Sequence, residues 1–329
     1  MKHLTLLFFI YHLSFSPAGA QGPNGSGTYY RNADGKSGSE LKTAFYSIIS
    51  KNTVKRTYAN LWNDFKTTDK RSDGKVWDMY SNATNFTFGT NQDKGSHPEE
   101  GYSYNREHSF PNSWWGGTQD EAQYTDLFHL YPTDAFVNEK RSNYPFGETN
   151  GNKYKSSGGF SKLGNCTTSG YTGIVFEPAD EYKGDFARTY FYMVTRYEPD
   201  LASWGANHTI DGKKYPGLKQ WQLTMLMRWS KQDPVSTKEV NRNRAVYGIQ
   251  KNRNPFIDYP GLEEFIWGDK KNIAFSYDDY EGLLTIDGVR VEPDSHDDGA
   301  VYNLRGQRMD SDRLAPGVYI RGGKKFVVR

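Results

Sequence analysis

Cys166 is the only cysteine among 329 residues, so no internal disulfide can hold this chain together. The constraint matters because Met1–Ala20 reads as an export signal. Lys2 gives a positive start, Leu4–Phe15 is an apolar run too short for a bilayer, and Ala18-Gly19-Ala20 offers small residues to a peptidase. An exported fold without disulfides must hold by packing, with a bound metal as the remaining device. Hydrophobic residues make up only 36%, but 24 Tyr, 19 Phe and 8 Trp bring large buried areas. The formal net charge of +2 means that any surface for a polyanion is a local patch. No later stretch approaches the ~20 apolar residues of a membrane helix, so the mature chain is expected to be soluble, and a monomer. Cys166 itself, in a Gly-Asn-Thr-Ser setting, reads as an inert loop cysteine.

The chain then divides by texture. Residues 21–39, rich in Gly, Asn and Ser, read as a flexible lead-in. Leu41, Ala44, Phe45, Ile48 and Ile49 have helical spacing, which predicts an amphipathic helix over about 40–60. Val76–Tyr80 reads as a buried strand, 90–101 as a loop and 158–173 as another. Pro132 sits where a helix can start, predicting a short helix over 133–142 stopped by Asn143-Tyr144-Pro145. Further helices are predicted over 185–197, 218–231 and 238–250, with Asn254-Pro255 breaking the chain after them. Past about 276 the pattern changes to short alternating strands with Gly and Asp turns, and 315–328 reads as a hairpin. The expected class is α+β: a mixed, largely helical domain over 40–275, then a small all-β domain over 276–329.

Two stretches carry candidate chemistry. In Asn105-Arg106-Glu107-His108-Ser109-Phe110-Pro111, a hard oxygen donor suited to Mg²⁺ or Ca²⁺ stands beside a ring able to accept a proton from water. A regular strand would point Glu107 and His108 to opposite faces, so they share a site only where the strand ends or bends. In Asn138-Glu139-Lys140-Arg141-Ser142-Asn143, helical spacing puts Asp134, Asn138 and Arg141 on one face.

These residues resemble the signature of the bacterial endonuclease I family. The likeness runs from Asn105–Trp114 through Asp126-Leu127-Phe128-His129-Leu130-Tyr131-Pro132, Asn138 and Arg141-Ser142-Asn143. It continues in Phe176-Glu177-Pro178, Gly184-Asp185-Phe186-Ala187-Arg188, Asp233-Pro234-Val235, Glu239, Arg242-Asn243 and Gln250–Asp258. The resemblance implies a ββα-metal motif and a secreted endonuclease, with a periplasmic address as second choice. Its substrate would be DNA, with RNA as a further one, cut with little sequence preference to leave 5′-phosphates. By the same resemblance Glu107 and Asn138 hold one divalent metal, Mg²⁺ with Ca²⁺ or Mn²⁺ as alternatives. His108 is the general base, and Arg141 and Arg188 bind phosphate. Basic side chains offered to the nucleic-acid backbone are Lys140, Arg242, Arg244, Lys251 and Arg253. Many family members have His-Asn where this chain has Phe128-His129, so His129 is expected just outside the metal's ligands. Trp114, Trp115 and Trp221 are expected in the core, with base stacking as their other use. The rival class is an inactive surface protein that binds nucleic acid or glycan on the same scaffold.

The tail resembles the C-terminal sorting domain of type IX secretion cargo. The likeness rests on Val301–Arg308, Leu314–Ile320 and Lys324–Val328. It implies a partner in the secretion machinery and release or attachment at the outer-membrane surface.

Overall fold

The computed structural model describes residues 22–278 and the strand residues 301–303, 308–309, 317–321 and 324–328. The signal at 1–20, Leu283–Val291 and most of the tail motifs lie outside the described residues. The chain forms two compact units, 1–284 and 285–329.

The first unit is mixed α and β around an aromatic core. Its helices are α1 (Gly38–Ile49), α2 (Leu61–Thr68), α3 (Ala135–Arg141), α4 (Lys183–Arg196), α5 (Leu201–Trp204), α6 (Gln220–Gln232), α7 (Thr237–Gln250), α8 (Pro255–Asp258) and α9 (Leu262–Ile266). Helix α4 is buried on every side from Lys183 to Thr195, which makes it the central helix, with α1, α6 and α8 packed on it. Rings take the place of aliphatics here: Phe146 meets Phe186 at 4.6 Å and Tyr190 at 5.3 Å, and Phe110 meets Tyr190 at 5.0 Å. Trp114 and Trp115 lie buried in the same core, as expected.

Strands β1 (Tyr104–His108) and β2 (Leu130–Asp134) pair antiparallel, with Glu107 opposite Tyr131 and His108 opposite Leu130. Helix α3 follows with no intervening residue, because Asp134 both ends β2 and caps the helix through Val137 N–H at 2.8 Å. Pro132 therefore starts no helix. It lies inside β2 opposite Arg106, where a two-stranded ribbon tolerates a residue without an N–H.

Other expectations also shift. The helix expected over 40–60 ends at Ile49, and a separate α2 follows. Val76–Tyr80 is not a strand beyond one bridge at Val76. Asp78 instead turns the chain by accepting from Tyr80 N–H and Ser81 N–H. The expected loop 158–173 contains β4 (Lys162–Asn165), which joins β3 (Tyr154–Lys155) and β5 (Ile174–Glu177) in an antiparallel sheet. These strands are too short to show a period of two. Pro255 opens α8 at its first position, capped by Asn254. The lead-in is not loose over 22–37: Tyr30 is wholly buried, and its hydroxyl bonds Asp258 at 2.7 Å. The helices expected over 185–197, 218–231 and 238–250 appear as α4, α6 and α7, within two residues at each end.

The second unit holds β6 (Val301–Asn303), β7 (Arg308–Met309), β8 (Gly317–Arg321) and β9 (Lys324–Val328), in the sheet order β7-β6-β8-β9. The last two pair antiparallel across the hairpin read at 315–328.

Candidate active site

Strand β1 alternates its side chains between two faces, and the alternation sorts the candidate residues. Asn105 and Glu107 face α3; Tyr104, Arg106 and His108 face the stretch 58–62. Glu107 and His108 are thus divided, as a regular strand requires. They meet only at the strand's end, where Arg141 bonds the Glu107 carboxylate at 3.0 Å and the His108 carbonyl at 3.1 Å.

Glu107 is 4% exposed. Its Oε1 accepts from the Tyr80 hydroxyl at 2.8 Å as well as from Arg141. Burial raises the carboxyl's pKa above the ordinary value, against the lowering pull of Arg141 and the hydrogen bonds from Tyr80 and Asn138. Asn138, on α3, also donates Nδ2–H to Asn105 Oδ1 at 2.8 Å.

His108 is 8% exposed and sits among rings: Tyr124 at 4.6 Å, His129 at 5.4 Å, Tyr58 and Trp115 each at 6.1 Å. Its Nε2 lies 2.9 Å from the Tyr124 carbonyl, an atom that only accepts. The proton of the neutral ring is therefore on Nε2, and Nδ1 carries the lone pair. Burial, then the adjoining His129, push its pKa down to about 3, with Arg106 and Arg141 adding to the effect. The ring stays neutral through the physiological range.

His129 is wholly buried, its Nε2 2.6 Å from the Gln123 carbonyl, and burial pushes its pKa down to about 4. Its ring packs against those of His108 and Trp115.

Several arginines expected at phosphate are placed elsewhere. Arg141, 1% exposed, spends its guanidinium on Glu107 and on the carbonyls of His108, Ser109 and Ser142. Both terminal nitrogens are thus engaged as a clamp beneath the site, while Nε has no partner. Arg188 is buried in a two-pronged pair with Glu239 at 2.6 and 2.9 Å. Arg242 is held in the same way by Asp69, and Arg253 by Asp258. A buried guanidinium with a carboxylate on its fork is a structural ion pair. Arg244 and Lys251 are exposed on and just after α7, and Lys140 is half-buried over the Phe136 ring at 4.4 Å. These three remain open to a polyanion. Trp221 is half-buried, stacks on Tyr171 at 4.6 Å and packs against the core from its edge. Cys166 is free and half-buried, with its thiol pKa raised by burial, which suits an inert cysteine.

Sequence reasoning missed Tyr80, Tyr124, Tyr58 and Asn105. Tyr80 is 27 positions from the carboxylate it bonds, and Tyr124 acts through a backbone carbonyl that any residue possesses. Neither leaves a local signal. Asn105 stands two residues before Glu107, and the period of two places it on the same face.

The donor set fits a hard divalent cation. Glu107 and Asn138 are the side chains that could offer it oxygens, since Mg²⁺ takes few protein ligands and keeps water and phosphate for the rest. No group of three or more His, Cys, Asp or Glu that could hold a metal occurs among the described residues, so any ion here draws on those outside oxygens.

Comparison with known proteins identifies the family. The family model for endonuclease I matches residues 37–261. An extracellular ribonuclease of Bacillus amyloliquefaciens is 37% identical over 250 residues, which cover 73% of this chain and 78% of the relative. An extracellular ribonuclease of Bacillus subtilis (strain 168) is 36% identical over 249 residues, with the same coverage of 73% and 78%. An extracellular deoxyribonuclease of Aeromonas hydrophila is 29% identical over 135 residues, 40% of this chain and 49% of the relative. With its family signature laid along β1, β2 and α3, this chain belongs to the endonuclease I family and is a nuclease.

Proposed function

We propose that this protein is a secreted, divalent-metal-dependent endonuclease that hydrolyses both RNA and DNA with little regard for sequence. The observation that carries the reading is the pairing at the end of β1. The buried Glu107 carboxylate and the neutral His108 ring lie on opposite faces of the strand, tied at its end through Arg141, and the ring's Nε2 proton is committed to the Tyr124 carbonyl. The long matches to relatives named ribonucleases support RNA as an equal substrate, not a secondary one. We read β1, β2 and α3 as a ββα-metal motif.

In this mechanism Nδ1 of His108 takes a proton from the attacking water, while the Tyr124 carbonyl stabilises the charge that the ring acquires. Glu107 and Asn138 would hold the metal, and Arg141 and Tyr80 fix the orientation of Glu107. Asn138 would offer the metal its amide oxygen, the acceptor end of the side chain. A bound Mg²⁺, with Ca²⁺ or Mn²⁺ as alternatives, supplies positive charge to the phosphate and leaving-group oxygens. Water, not the ribose 2′-hydroxyl, is the nucleophile, so RNA and DNA both end in 5′-phosphate and 3′-hydroxyl. Lys140, Arg244 and Lys251 contribute sequence-blind attraction to the backbone. Export of the protein fits relatives named extracellular, and we assign the tail to outer-membrane sorting. No helix of the described residues is long and apolar enough to cross a membrane.

The test is cleavage of end-labelled RNA and plasmid DNA in Mg²⁺, with EDTA and His108→Ala as controls. Loss of cleavage in both controls and 5′-phosphate ends from both substrates are expected. A 2′,3′-cyclic phosphate from RNA would overturn the water mechanism. Binding without cleavage by the wild type would favour the inactive binding protein.

A further inference from the structure

Two residues before His108, on the same face of β1, stands Arg106. Its guanidinium carbon lies 3.5 Å from the centre of the Tyr58 ring and 4.3 Å from that of Trp62. The same Tyr58 ring stacks on the His108 imidazole at 6.1 Å and 17°. Nη1 of Arg106 donates to the Tyr58 carbonyl at 2.8 Å. No carboxylate pairs with it among the described residues.

Arg196, also half-buried, shares that lack, but its guanidinium bonds the Ser50 and Thr53 hydroxyls, whereas that of Arg106 is held between two rings beside His108. The fully buried arginines 141, 188, 242 and 253 each have a carboxylate: Glu107, Glu239, Asp69 and Asp258. Asp64, on the helix that carries Trp62, is already held by Arg56 at 2.8 and 2.9 Å. A half-buried cation is costly to leave without a counter-charge. Two rings against the guanidinium restrict its rotamers and confine its open N–H groups to the edge. A rigid fork of that kind matches two oxygens of one phosphate. Nothing in the proposed chemistry uses this group, yet it shares an aromatic wall with the base.

We propose that Arg106 is a phosphate subsite: its fork binds the phosphodiester next to the one being cut, on the His108 side of β1. The inference rests on the nuclease reading above. The contact is to the backbone, so it serves RNA and DNA alike and ignores base identity. Its role is to register the strand so that the scissile phosphate faces Nδ1 of His108.

The test measures binding of a fluorescent single-stranded oligonucleotide to His108→Ala protein, with and without Arg106→Met or Arg106→Lys. Arg106→Met is expected to weaken binding about 10- to 100-fold, the loss of one charge-assisted bidentate contact. The salt dependence of log affinity should become shallower by about 0.7, one phosphate's worth on a single strand. Arg106→Lys should restore that slope and only part of the affinity. In the catalytically competent protein the loss should appear in KM more than in kcat. Unchanged affinity and slope in Arg106→Met would overturn the proposal.

If Arg106→Met does not fold, single methylphosphonate substitutions along the oligonucleotide give the answer with Arg106→Lys. One linkage beside the cleaved bond should weaken wild-type binding more than it weakens binding by the lysine variant. Equal penalties at every linkage would sink the subsite. A wild type that shows this pattern but cuts nothing would instead sink the nuclease reading and leave the contact standing.

Discussion

Nε2 of His108 donates to the carbonyl oxygen of Tyr124 across 2.9 Å, and this bond fixes which nitrogen can act. Burial, against the pull of this bond, sets the order in which the site protonates. Burial drives the ring down to about 3 and drives the Glu107 carboxyl above its ordinary range. On acidification Glu107 therefore takes a proton before His108 does.

The acid limb of kcat/KM should accordingly report Glu107. A proton and a metal compete for that carboxylate, so a tenfold rise in Mg²⁺ should move the limb to lower pH by up to about one unit. A pH–rate series at two Mg²⁺ concentrations checks this. A limb fixed near the ordinary histidine pKa, indifferent to Mg²⁺, would show that His108 titrates as a free imidazole.

His129 gives a stability prediction whose sign can be worked out. Its folded pKa, about 4, lies below the ordinary value of 6.5. The unfolded chain thus binds more protons between those values, and the stability that this ring contributes is present above 6.5 and lost as pH falls through 4. The wild type should lose stability relative to His129→Gln on going from pH 7 to pH 4, by up to a few kcal/mol at about 1.4 kcal/mol per unit. Urea melts of both proteins at several pH values would read the difference, and parallel pH profiles would contradict it.

Arg141→Met should destabilise the fold by about 3–5 kcal/mol, because it leaves Glu107 buried without its counter-charge. Urea unfolding measures this directly. A loss below 1 kcal/mol would mean that water reaches the carboxylate and that Arg141 is no clamp.

Mg²⁺ should raise the melting temperature of the wild type, since a ligand bound only to the folded state stabilises it. The same addition should shift Glu107→Gln and Asn138→Ala much less. Equal shifts in all three would place the ion somewhere else. The readout needs no substrate and so stands apart from activity.

The long helices were legible because a face of apolar residues repeats at the helical period, as in Phe186, Tyr190, Met193 and Val194 of α4. The chemistry of Glu107 and His108 was legible in their types, and their division between two faces follows from the period of a strand. The roles of the arginines were not legible. Arg188 and Arg242 look like any basic residue in a polar run, and only the fold brings Glu239 and Asp69 to their forks; Asp258 stands five residues from Arg253, and α8 turns it back onto that fork. Pro132 misled because a proline opens a helix and sits in an edge strand equally well. The short strands β3 to β5 carry too few residues to declare a period, and Asp78 turns a stretch whose apolar neighbours suggested a strand.

The tie between the start of the first unit and Asp258 has a consequence for biogenesis. Asn24 and Tyr30 both bond the carboxylate that Arg253 also grips. More than two hundred residues separate these partners. During synthesis Tyr30 emerges early and has no acceptor until nearly the whole unit has left the ribosome. A chain made only through α3 therefore lacks this tie, and the bonds that anchor its first residues can form only once Asp258 has been added.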